Sequence, residues 1–68
     1  MVNEVIAAIG NVVEANEING VLFTLSADAV IRTNDVDEGE MIARKNFSSF
    51  EAAKAAYAVA VAQALATV

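Results

Sequence analysis

The chain contains neither cysteine nor histidine. The first absence excludes disulfides and thiolate metal sites. The second removes the commonest zinc ligand and the commonest general base. Basic residues are scarce as well: four lysines and arginines stand against nine acids, a net charge of −5. That balance disfavours direct binding to nucleic acid, which needs a lysine or arginine patch for its phosphates. It equally disfavours a polybasic contact with a membrane surface. The three glycines, Gly10, Gly20 and Gly39, are isolated, so no phosphate-binding loop is present. No segment reaches the ~18 consecutive apolar residues that a membrane span requires. The start, MVNEVIAAIGNVV, carries an early acid and no basic stretch of the kind that opens a secretory signal. Absence of cysteine fits any compartment, so the expected compartment is cytoplasmic by default.

What remains is a short, apolar, acidic chain. Sixty-eight residues make one domain, 1–68. A chain of this size buries only about 60% of the surface its unfolded form exposes. Without disulfides or thiolate metal sites, oligomerisation is the remedy left to it besides a well-packed core. The last helix fits that need. Phe50 to Val68 reads FEAAKAAYAVAVAQALATV, with nine alanines and two charges, Glu51 and Lys54. Alanine is the best helix former. Phe50, Tyr57, Val61, Leu65 and Val68 draw one stripe at helical spacing. The other faces carry alanine where a free surface helix carries charge, so this helix reads as covered on more than one side. Ser48 followed by Glu51 fits a capping box at its start.

Upstream, Val2 to Asn16 reads as a first helix with Val2, Val5, Ile6, Ile9 and Val13 as its stripe. Gly10 weakens it. A competing reading stops the helix at Gly10 and makes Val12 to Ile18 a strand, with Asn19-Gly20 as a hairpin turn. Glu14, Ala15, Asn16 and Glu17 are poor strand formers, which favours the helix. Val21 to Ser26, Ala29 to Asn34 and Glu40 to Phe47 read as three strands with brief connections. The expected fold is thus α+β, in the order α-β-β-β-α. A three-stranded antiparallel meander packs against the N- and C-terminal helices. Phe23, Leu25, Ile31, Met41 and Phe47 share the core side. Leu22, Val30 and Ile42 fall on the opposite, uncovered side, with Thr24, Arg32 and Arg44.

Candidate chemistry is sparse. Asp35, Asp37, Glu38 and Glu40 form an acidic turn, the kind of loop that can hold a hard cation. Placing Gly39 at the glycine position of an EF-hand puts Asn34, Val36 and Lys45 where ligands belong, so the match fails. Ser48 and Ser49 lack a histidine base, and Lys45 and Lys54 suit solvation and helix ends. Tyr57 lies on the apolar stripe, with its hydroxyl expected at the core's edge. Arg32 and Arg44, side by side without aromatics, are too few for a stacking platform. No catalytic residue, metal or cofactor is expected.

The functional expectation is a small non-catalytic protein-interaction module acting as a homo-oligomer, a dimer first. Its interface would draw on Leu22, Val30, Arg32, Ile42, Arg44, Ala56, Ala60 and Gln63. The acidic turn would be free to meet a basic partner protein, in the manner of phage-encoded inhibitors that occupy a basic groove. Two alternatives stand beside it. One is a self-assembling structural subunit of a filament or capsid decoration. The other is a carrier with a small apolar pocket between helices and sheet.

Overall fold

The computed structural model describes residues 2–67, so Val68 of the expected stripe lies outside the described residues. The order is α1 (Val2–Ile9), β1 (Val12–Ile18), β2 (Val21–Ser26), β3 (Val30–Asp35), β4 (Met41–Asn46) and α2 (Phe50–Ala66). The α+β class stands, with four strands in place of three. They pair in chain order, all antiparallel, as one meander.

The extra strand comes out of the expected first helix. Gly10 and Asn11 adopt positive φ, 75° and 54°, which ends α1 after Ile9. Asn19 and Gly20 follow with φ of 52° and 81°. Positive φ at both central residues is the two-residue hairpin turn whose twist matches flanking strands. Two left-handed pairs therefore bracket Val12–Ile18, and pairing with β2 overrides the weak strand propensity of Glu14 to Glu17.

The helices lie on opposite faces of the sheet. Directly paired residues of antiparallel strands share a face, and successive residues alternate. One face carries Leu25 and Ile31, which cluster with Ala29, Ala53 and Tyr57 under α2; Phe23, Phe47, Phe50, Ala56 and Val61 pack around them. The other face carries Leu22, Thr24, Arg32, Asn34 and Met41, and α1 crosses it. Hence Leu22 and Val30, expected on an uncovered side, are buried at 1% and 4% exposure.

Each edge strand contains a bulge. In β1 the register skips Val13, and in β4 it skips Ile42. An extra residue disrupts the ladder locally and leaves its side chain unpaired. Both residues are well exposed. The β4 bulge also moves Met41 onto the α1 face, opposite Asn34, and off the α2 side where strict alternation would have put it.

α2 starts one residue later than the capping box implies. Ser49, with extended φ and ψ, is the N-cap, and its Oγ accepts from the Ala52 amide at 3.1 Å. The third helical residue is then Ala52, so Glu51 cannot close a reciprocal box. Ser49→Ala is expected to cost about 1 kcal/mol in chemical denaturation, and Ser48→Ala close to nothing.

Candidate functional site

The fold leaves one side of α2 unused. Its inward residues, Phe50, Ala53, Tyr57, Ala60, Val61 and Ala64, are buried or half-buried. Tyr57 anchors them at 1% exposure. Its hydroxyl, expected at the core's edge, is bonded within the domain: it donates to the Phe23 carbonyl at 2.9 Å and accepts from Asn16 Nδ2 at 2.8 Å. Burial pushes the Tyr57 phenol above its ordinary pKa; the Asn16 bond opposes this and the nearby Glu14 carboxylate adds to it.

On the outward side, Ala52, Ala55, Val59, Ala62 and Ala66 are all exposed. Their steps of three, four, three and four residues draw a straight seam along the helix. At 100° per residue the seam points opposite to Tyr57. Val59 is 55% exposed, and no charge occurs beyond Lys54. Leu65, expected on the inner stripe, is 60% exposed on the seam's flank. Its angle on the helix falls beside the stripe of Ala53, Tyr57 and Ala64 and not on it.

The residues expected to form one interface are dispersed by the fold. Leu22 and Val30 are interior, and Ala56 and Ala60 are half-buried, with Ala56 packed against the core cluster. Ile42 and Gln63 are exposed, on β4 and α2 respectively. Arg32 and Arg44 are paired directly across β3 and β4, on the face that α1 crosses. Arg32 donates to Ser26 Oγ at 3.0 Å and Arg44 to Asn46 Oδ1 at 3.2 Å.

The acidic turn is built for its own geometry. Asp35 Oδ1 accepts from the Asp37 amide at 2.9 Å, and the Asp35 carbonyl accepts from Gly39 N at 2.7 Å. That closes the β3–β4 connection around a positive-φ glycine. Asp37, Glu38 and Glu40 point to solvent. Among the described residues, no three carboxylates converge as metal ligands would.

A groove of about 420 Å³ opens between α1 and the sheet, lined by Val5, Ala8, Ile9, Met41, Arg32 and Asn34, with Glu4, Glu38 and Gly39 completing it. The carrier alternative expected an apolar pocket between helices and sheet without naming its residues; Asn34 was expected to end a strand, and the helix that roofs the groove was expected to run on to Asn16.

Compared with protein-family models, with curated proteins and with solved structures, the chain shows no match. Among the described residues, no helix is long and apolar enough to cross a membrane.

Proposed function

We propose that this domain is a small, non-catalytic protein-interaction module that works as a homo-oligomer, a dimer first. The observation that carries the reading is the outward seam of α2: five exposed, uncharged positions at heptad-like spacing. Water gains nothing from such a face, and its small side chains let a second helix approach closely. Counted from Val59, the other seam positions lie seven and four residues before it and three and seven after it, so the seam is symmetric about Val59 to within one residue. In an antiparallel pair Val59 meets its own copy, Ala55 meets Ala62, and Ala52 meets Ala66. A two-fold contact needs this kind of self-complementarity. The acidic turn, with Asp37, Glu38 and Glu40 turned to solvent, gives the module a surface for a basic partner protein.

A second reading, an open structural assembly, is favoured by a different observation. The outer strands differ in charge: β1 carries Glu14 and Glu17, whereas β4 carries Arg44 and Lys45. A four-stranded meander runs its two edge strands in opposite directions. A copy shifted sideways would therefore continue the antiparallel pattern, with acids facing bases.

Light scattering on a size-exclusion column, over a range of concentrations and at low and high salt, separates the readings. A fixed two-chain mass is expected. Strict monomers would overturn the first reading. Mass that grows with concentration, and shrinks in salt, would put the open assembly in its place.

A further inference from the structure

A second groove, of about 360 Å³, runs between α2 and the edge strand β1. Glu14 and Asn16 lie on its strand side, and Ala58, Val61, Ala62 and Leu65 on its helix side. The strand beside it is open. The two-residue turn at Asn19-Gly20 makes Ile18 and Val21 the closing, hydrogen-bonded pair of the hairpin. Counting back by twos, Asn16 and Glu14 also bond inward to β2. Ala15 and Glu17 therefore turn their N–H and C=O groups outward, away from the sheet. Among the described residues, no turn or loop backbone bonds to those groups. The bulge at Val13 precedes this run, so residues 14–18 keep a regular register.

An edge of this kind can take an extended segment as an added strand. Main-chain bonds then give affinity, and neighbouring pockets give specificity. A residue of that segment placed opposite Asn16 shares its face and enters the groove beside Val61 and Leu65. The groove suits an apolar side chain there. Asn16 and the Tyr57 hydroxyl already satisfy each other, and α2 carries no charge beyond Lys54. Charge sets the flanks. Glu14 and Glu17 are exposed on opposite faces of β1, which has no base of its own. Lys54, one turn before Ala58, forms no ion pair with Glu14 among the described residues. Charges on an edge strand guard against unwanted pairing. These acids turn away an acidic strand or another β1, whereas bases directly across from them stabilise the pair. A second copy's β4 sets Arg44 and Lys45 side by side, so it can oppose one acid at a time. We infer that β1 accepts, as an added antiparallel strand, an extended basic segment of a partner protein. Its two bases stand opposite Glu17 and Glu14, and the apolar residue after the first base fills the groove. The inference rests on the reading of the domain as a protein-binding module and names the partner's chemistry. It uses the flank of α2 and shares only Ala62 with the outward seam.

The test is a titration of the full chain with acetyl-Thr-Lys-Leu-Thr-Lys-Thr-amide, followed by NMR hydrogen exchange at the Ala15 and Glu17 amides. The controls replace both lysines with glutamate, or the leucine with serine. The basic peptide should slow exchange at those two amides and bind at least about tenfold more tightly than either control. In a Glu14→Lys, Glu17→Lys chain the glutamate peptide should become the better ligand. Both positions are exposed, so the fold should survive the change. Equal binding of the basic and acidic peptides, no reversal in the double variant, or binding that leaves the Ala15 and Glu17 amides unprotected would overturn the inference. So would protection of those amides without peptide that grows with protein concentration, since a second copy would then hold the edge. A Val59→Glu chain should titrate like the parent; loss of the dimer there bears on the self-association reading alone.

Discussion

Replacing Tyr57 with alanine is expected to unfold the domain. The ring is 1% exposed and sits in the cluster with Leu25, Ala29, Ile31 and Ala53. Truncating a buried aromatic costs about 3–5 kcal/mol. The Phe23 carbonyl and the Asn16 amide would also lose the hydroxyl that joins them, and an orphaned buried polar group costs about 1–3 kcal/mol. A domain of this length has about 3–10 kcal/mol in total. Circular dichroism on the variant should show lost helix at room temperature, or a urea midpoint close to zero. A cooperative transition within about 1 kcal/mol of the parent would mean that α2 is held by something other than this ring.

The hydroxyl can be isolated from the ring. Tyr57→Phe keeps the packing and removes the two hydrogen bonds, for an expected loss of about 1–3 kcal/mol. It also changes the pH dependence. Burial raises the phenol above its ordinary value of 10.0. Below that value both the folded and the unfolded chain keep the proton, and the contribution is complete. Above it the unfolded chain ionises first, so stability falls as pH climbs towards the folded value. The chain has one tyrosine and no tryptophan, so phenolate absorbance follows this single group. Tyr57→Phe should lack this component of the alkaline loss; an identical alkaline slope in both proteins would refute it.

The sequence exposed β2, β3 and α2 clearly, and the reasons are physical. VLFTLS and AVIRTN alternate between two chemically different faces, and an alanine-rich run has only one good conformation. β1 was obscured because Glu14, Ala15, Asn16 and Glu17 have no strand preference of their own. The left-handed Gly10-Asn11 and Asn19-Gly20 pairs mark its ends, yet asparagine and glycine also stop helices. The interface was harder. Whether Leu22 and Val30 meet water depends on which face α1 crosses, a tertiary fact that periodicity does not encode. The bulge at Ile42 then moved Met41 across the sheet, as a one-residue slip does to any strand. The uncharged outer side of α2 was legible because it rests on composition alone.

That outer side supplies the second large effect: Val59→Glu should convert the proposed dimer into a monomer. At the centre of an antiparallel α2 pair the new carboxylate would meet its own copy, with alanines above and below and no base within the seam. Burying an unpaired charge costs about 3–5 kcal/mol, which weakens the dimer by at least about 100-fold. The same change should leave the fold of each chain intact. Val59 is 55% exposed in the isolated domain, and glutamate is a better helix former than valine. Leu65→Glu, on the seam's flank, should weaken association less, since a rim charge keeps access to water. The seam cannot act by itself. A standard contact covers about 800 Å² on each partner, close to a fifth of the 4235 Å² this domain presents, so neighbours such as Ala58 and Gln63 must take part. A Val59→Glu protein that keeps both its mass on light scattering and its melting temperature would show that α2 is not the contact. In that case the charged strand edges become the surface to test, by reversing Lys45 and restoring the match at Glu14.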